Sequence, residues 1–348
     1  MERATRWVAS GSDKHHGSHR PAAGTIGLRF FSSRRARGWR LAIPVTSLSL
    51  LFLSWPLWPP RRNVVRLGDF RLQSGEVIRD AFIAYRTFGR LNEARSNAVL
   101  VTPWFQGTSW RMAWQIGPGK LVDSSKYFVV IVDPLGNGVS SSPSNSRLQP
   151  AEQFPVFTVG DIVESQYQMV IRALQLTHLR AVVGISMGGM QVFEWVVAHP
   201  DFIDKGISIV GSPQSQPDDR VRWESTIGSL RVPAWTRARN SLAQWKPRTA
   251  LNDLRIHPVN YIRQAQAIAA LDILQGFGGS MERSAAAVHA DLMVVSTWQD
   301  REVNPKPAFD FARAARAEVL ELDGRCGHQA PSCERNVLWP AVDRFLAR

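Results

Sequence analysis

Gly184-Ile185-Ser186-Met187-Gly188 is the segment that leaves this chain the least conformational freedom. It follows the apolar run Ala181-Val182-Val183 and precedes Met190-Gln191-Val192-Phe193-Glu194-Trp195-Val196-Val197-Ala198, which reads as a helix. A G-x-S-x-G stretch between strand and helix predicts a turn so sharp that side chains flanking the serine would collide. Glycine at 184 and 188 removes those collisions and permits a strained backbone. The Ser186 hydroxyl is then left projecting above the sheet, beside the amides that open the helix.

The rest of the chain supplies a matching scaffold. Short apolar runs at 98–102, 127–132, 181–184, 207–210, 292–296 and 319–322 suit strands in a layered fold, several of them buried on both faces. Residues 77–86 alternate and read as an edge strand. Helical patterns cover 160–176, 187–199, 305–316 and 334–347. This alternation predicts an α/β fold with a mostly parallel, eight-stranded sheet and helices on both faces. Residues 213–288 break the rhythm with Trp223, Trp235, Trp245, several Pro and Arg, and a helical run near 259–274. They read as a short helical cap inserted over the C-terminal edge of the sheet, within a domain running from 63 to 348.

A serine hydroxyl is a poor nucleophile without a neighbouring general base. His328, in Gly324-Arg325-Cys326-Gly327-His328, follows the last strand, and a loop there would reach the serine. The other histidines lie in the N-terminal leader (His15, His16, His19), or before strands, after a helix or in the cap (His178, His199, His257, His289). The acid that orients the imidazole is expected to be Asp300, a few residues past the 292–296 strand. Glu302 on the same loop and Asp323 before the His328 loop are its rivals. Backbone N–H groups of Met187 and of Phe105, in Pro103-Trp104-Phe105-Gln106-Gly107-Thr108, are the expected oxyanion donors.

These residues resemble the homoserine O-acetyltransferase family of the α/β-hydrolase superfamily, over about 64–348. Gly184-Ile185-Ser186-Met187-Gly188-Gly189-Met190-Gln191 is close to that family's G-G-S-M-G-G-M-Q. Ala84-Tyr85-Arg86-Thr87-Phe88-Gly89-Arg90-Leu91-Asn92 looks like its A-Y-x-T-Y-G-x-L-N, and Ser96-Asn97-Ala98-Val99-Leu100 matches S-N-A-V-L. The resemblance implies the α/β-hydrolase fold, with Ser186, Asp300 and His328 as nucleophile, acid and base. The departures concern the substrate. Members acting on homoserine carry His-Asp in the last loop, where this chain has His328-Gln329. A neutral amide cannot supply the charge-assisted bond that an ammonium favours. Trp223-Glu224-Ser225-Thr226-Ile227 lacks the Arg that the resemblance places there for the substrate carboxylate, with Arg220 and Arg222 as nearby substitutes. The expected activity is acyl transfer through an acyl-serine, with hydrolysis of a carboxylic ester or thioester preferred. The alternative is an O-acyltransferase using acetyl-CoA. Trp and Phe around 104–114 and 223–245 are candidates for an apolar acyl pocket or for plain packing. No metal or tightly held cofactor is implied, and a homodimer is allowed without being dictated.

Charge bears on placement more than on chemistry. The chain carries a net +13, but 11 of its 42 basic and 2 of its 29 acidic residues lie in 1–62, a balance of +9 that leaves +4 for the remainder. A nucleic-acid partner for the body is therefore not expected. Arg34-Arg35-Ala36-Arg37-Gly38-Trp39-Arg40 precedes an uncharged run from Leu41 to Trp58, and Arg61-Arg62 follows it. As a helix the run would span about 27 Å, just short of a bilayer core. This is the pattern of an export signal or membrane anchor, with membrane contact confined to 41–58. An organelle presequence, or an extension upstream of the true start on a cytoplasmic protein, are the other readings. Cys326 and Cys333 flank His328, and an oxidising compartment would allow them to form a disulfide.

Overall fold

The apolar runs assemble into one sheet, and all but the last, at 319–322, are almost wholly buried on both faces. The computed structural model describes residues 59–231 and 257–348, so the leader, the uncharged run, Trp235 and Trp245 lie outside the described residues. The strands are β1 (Asn63–Arg71), β2 (Val77–Phe88), β3 (Ala98–Thr102), β4 (Phe128–Asp133), β5 (Leu179–Ile185), β6 (Ile203–Ile209), β7 (Asp291–Ser296) and β8 (Glu318–Glu321). They lie in the order β1-β2-β4-β3-β5-β6-β7-β8. β1 pairs antiparallel with β2, and β2 antiparallel with β4. All other neighbours are parallel.

One expectation needs correction. Residues 77–86 are not an edge strand: β2 runs between β1 and β4, and the edge belongs to β1. The eighth strand was missed in the residue pattern because Asn63–Arg71 is largely exposed, with few apolar positions turned inward.

The helices are α1 (Ser109–Met112), α2 (Val159–Ala173), α3 (Met187–Ala198), α4 (Pro217–Arg231), α5 (Pro258–Ala269), α6 (Met281–Ala286), α7 (Lys306–Ala314), α8 (Ala330–Cys333) and α9 (Arg335–Ala347). Apolar residues of α2, α3 and α7 pack in one core with side chains from one face of the sheet, including Leu100, Val130 and Val182. Those of α1 and α9 pack with Val101, Ile131 and Val183 from the other face. Residues 217–286 contribute α4, α5 and α6 where a helical cap was expected.

α3 is held along its flank by α2. Thr158 and Asp161 form a capping box at the start of α2, each side chain accepting the other's backbone N–H. From α2, Gln166 accepts the Trp195 indole N–H at 2.9 Å and donates to Gln191 at 2.6 Å. Gln191 in turn donates to the Met187 carbonyl at 3.1 Å. A buried polar relay thus ties α2 to the first turn of α3, with every member supplied a partner.

Glu194 is the misfit on this helix. It is half-buried, and burial pushes its carboxyl up to about 7, with the Asp161 charge adding to the effect. The folded chain therefore holds this proton more tightly than the unfolded one. The charged form has no cost to stability below the ordinary carboxyl range, a growing cost as pH rises to about 7, and a constant cost above that. Glu194→Gln is expected to leave stability unchanged near pH 4 and to raise it by ~2 kcal/mol near pH 8. Urea unfolding at the two pH values checks this.

Candidate active site

Ser186 stands where β5 turns into α3, with φ 57° and ψ −118°. That left-handed backbone is costly for a residue with a side chain and persists only where the surroundings enforce it. Here they do. A Cβ on Gly188 would come within 2.0 Å of the Thr102 carbonyl oxygen, and one on Gly184 within 2.1 Å of the Gly188 carbonyl oxygen. Thr102 Oγ1 donates to the Gly188 carbonyl at 3.0 Å, and Ser186 N donates to Ile209 O at 2.8 Å. β3, β5 and β6 together hold the turn.

The structure brings three of the expected side chains into one line. His328 Nε2 lies 2.8 Å from Ser186 Oγ, and its Nδ1 lies 2.7 Å from Asp300 Oδ2. The His328 and Asp300 side chains are 9% and 1% exposed. Asp300 Oδ1 accepts the backbone N–H groups of Glu302 at 2.8 Å and Val303 at 3.0 Å, so the carboxylate is oriented by its own loop. With Asp300 accepting from Nδ1–H, Nε2 is the lone-pair nitrogen facing the serine hydroxyl. The arrangement can deprotonate Ser186 as it attacks a carbonyl and stabilise the resulting imidazolium.

The rivals stand elsewhere. Asp323 is exposed. Glu302 points into the cleft but is not the partner of His328. His178 pairs with Asp204, His289 pairs with Asp201, His199 stacks on Tyr167, and His257 precedes α5 with no side-chain cap bond. Arg220 donates to the Ser215 carbonyl, and Arg222 to the Asp219 carboxylate and the carbonyls of Arg301 and Glu302. Both are therefore committed away from a substrate carboxylate.

Met187 opens α3, and its amide is among those that no intrahelical carbonyl can take. Phe105 lines the cleft at Ser186, clamped edge-on between Trp223 of α4 at 5.1 Å and Tyr261 of α5 at 4.6 Å. Sequence reasoning missed the residues that hold this loop. Gln106 has φ 55°, and its backbone N and its side-chain Nε2 both donate to Gln264 Oε1, at 2.9 and 2.8 Å. Asp133 accepts from Ser109 N at 2.7 Å, Ser109 Oγ at 2.6 Å and Asn137 Nδ2 at 3.1 Å, and Asn137 also donates to the Gly107 carbonyl. Burial pushes the Asp133 carboxyl up, against the pull of these hydrogen bonds. Asp133 at the end of an apolar strand was a visible signal; Gln264, more than 150 residues away from Gln106, was not.

The cleft has a volume of about 420 Å³. Trp104, Phe105, Trp114, Ile185 and Pro331 give it apolar walls, and Arg111, Glu302 and Gln329 give it polar ones. Trp223 reaches it only through Phe105. A groove of about 410 Å³ between Trp298 and Arg316 shares no lining residue with it.

A family model described as the alpha/beta hydrolase fold matches residues 105–311. Among curated proteins, the chain is 38% identical over 159 residues to a probable esterase of Corynebacterium glutamicum, covering 44% of this chain and 45% of the relative. It is 35% identical over 170 residues to an ethyl acetate hydrolase of Pseudomonas veronii (48% and 49%), and 33% over 188 residues to a homoserine O-acetyltransferase of Methanosalsum zhilinae (49% and 38%). These matches span about half the length of the first two relatives and less of the third. Among solved structures, an acetylester hydrolase from Corynebacterium glutamicum superposes with a TM-score of 0.72 at 24% identity, covering 82% of this chain and 95% of the other. A homoserine O-acetyltransferase from Bacillus anthracis gives 0.72 at 23%, covering 83% and 98%. At these identities the structural likeness speaks for the fold.

Cys326 and Cys333 are joined in a disulfide, and the small ring they close contains His328. Closing a loop of this size removes chain entropy from the unfolded state worth about 2–3 kcal/mol. The Cys326→Ser/Cys333→Ser variant is expected to lose about that much stability, read from denaturant unfolding. Reductant should lower the stability of the parent chain and leave the variant unmoved.

Proposed function

The chain belongs to the α/β-hydrolase family, and on that premise we propose that it is a serine esterase acting through an acyl-serine on a small carboxylic ester. The observation that carries this is the unbroken Ser186–His328–Asp300 hydrogen-bond line at the base of an open, aromatic-walled cleft. His328 Nε2 takes the Ser186 proton as Oγ attacks the ester carbonyl, and Asp300 stabilises the imidazolium. The N–H groups of Met187 and Phe105 hold the oxyanion. His328 returns the proton to the leaving alcohol, and water repeats the cycle to release the acid.

Water is favoured over an amino-acid acceptor by what surrounds the serine. Gln329 lines the cleft where an ammonium would want a carboxylate, and Arg220 and Arg222 are bound elsewhere. The esterase and ethyl acetate hydrolase similarities support the same reading. The transferase alternative rests on the homoserine O-acetyltransferase similarity and on Arg111 and Glu302, which place both charges on the cleft wall. For placement, the basic stretch 34–40 and the uncharged run 41–58 support export or membrane anchoring.

Ser186→Ala is expected to abolish turnover of a nitrophenyl acetate ester, and retained turnover would remove the assignment. Asp300→Asn keeps an acceptor for the Glu302 and Val303 amides but turns an NH₂ toward Nδ1, imposing the wrong imidazole tautomer. Its kcat should fall by roughly 10³–10⁴ with little change in KM, as steady-state kinetics would show. Acetyl-homoserine formed from acetyl-CoA and homoserine faster than acetyl-CoA is hydrolysed would favour the transferase.

A further inference from the structure

The described chain begins one residue after the uncharged run, and Pro60 reaches α1 through Arg86. The Pro60 carbonyl accepts a hydrogen bond from Arg86. The Arg86 guanidinium in turn lies over the Trp110 ring, 5.4 Å from its centroid. Trp110 belongs to α1, and Arg111 and Trp114, immediately beyond, line the cleft that holds Ser186. Chain exit, α1 and cleft mouth are therefore linked by direct contacts.

The surface at this place is unusual for a face turned to water. Trp110 is 58% and Trp114 42% exposed, two of the largest apolar side chains on the described surface. Trp114 rests on Trp339 of α9, which leaves its outer face open. Arg61 and Arg62 directly follow Pro60, Arg62 near enough to act on the Arg86 charge; they and Arg111 are exposed, and none pairs with an acid among the described residues. Arg111 lies over Trp104 at 5.8 Å from the ring centroid. The acidic group on the cleft wall is Glu302.

Exposed tryptophans interleaved with unpaired arginines are the composition of a membrane–water interface. The indole sits at headgroup depth, and each Arg is drawn to an anionic leaflet. Among the described residues no helix is long and apolar enough to cross a membrane. Covalent continuity supplies the rest: Pro59 and Pro60 follow Trp58, the last residue of the run, so a run held in a bilayer keeps Pro60, and α1 with it, close to that bilayer.

We propose that the face formed by Arg61, Arg62, Trp110, Arg111 and Trp114 docks on an anionic bilayer surface and presents the mouth of the Ser186 cleft to it. This rests on the reading of 41–58 as a membrane segment, and it adds a second, independent contact. Substrates then arrive from the interface, as esters that partition into lipid, rather than only from bulk water. The aromatic walls at Trp104, Phe105 and Trp114 continue the same apolar surface inward.

The test uses the full chain, mixed with phosphatidylcholine–phosphatidylglycerol vesicles whose acyl chains carry bromine. Tryptophan quenching is compared between the parent and the Trp110→Phe/Trp114→Phe variant, which keeps both rings aromatic and removes two of the 13 tryptophans. The expected result is a larger quenched share in the parent than in the variant, reduced in Arg61→Glu/Arg62→Glu and in vesicles lacking phosphatidylglycerol. Equal, substantial quenching of parent and variant would mean that the run reaches the bilayer and the face does not, which overturns the proposal and leaves the membrane-segment reading intact. No quenching of either overturns both. If the run or a second copy instead covers this face, the two tryptophans are shielded from the brominated chains, and the proposal fails in the same readout.

Discussion

The close approach of β3 to the start of α3 is the constraint on which the site depends. The Thr102 carbonyl lies so near Gly188 that a methyl group there has no room. This contact makes the β5–α3 turn tight enough to hold Ser186 at positive φ. Relaxing it would let the serine fall back into an ordinary helix N-cap, out of reach of His328. The strain is supported by parallel pairing of β5 with β3 on one side and β6 on the other. The nucleophile is thus as rigid as the middle of the sheet.

The partners of the serine are held by a different kind of force. His328 and Asp300 lie on loops after β8 and β7, and loops carry fewer packing contacts than strands. Here they are restrained by hydrogen bonds and a covalent link. Asp300 is fixed by two backbone amides, and the His328 loop by the Cys326–Cys333 bond. The Phe105 loop is held from below by Asp133 and Asn137 and from above by Gln264 of α5. Buried polar groups of this kind are costly when unpartnered, so each network admits essentially one arrangement. That selectivity lets flexible segments meet at distances of 2.7–2.8 Å.

Much of this was legible in the residues. Five of the six apolar runs became strands buried on both faces, which leaves a compositional trace, and the G-x-S-x-G glycines declared a turn that only glycine fits. β1 was illegible because an edge strand facing solvent on most positions carries no such trace. Its place next to β2 moved 77–86 from the edge into the sheet. Arg220 and Arg222 looked available for a substrate, and the structure engages both with backbone carbonyls, a commitment that composition cannot express.

The sequence by itself determined the layered α/β architecture, the strained serine turn and the residue types able to serve it, because these follow from local sterics and hydrophobic periodicity. Only the tertiary structure decided which acid faces His328, which glutamine holds the Phe105 loop, and that Pro60 reaches α1 through Arg86. Those are contacts between segments tens to more than a hundred residues apart. They are set by how the sheet and its helices pack, and no local pattern records them.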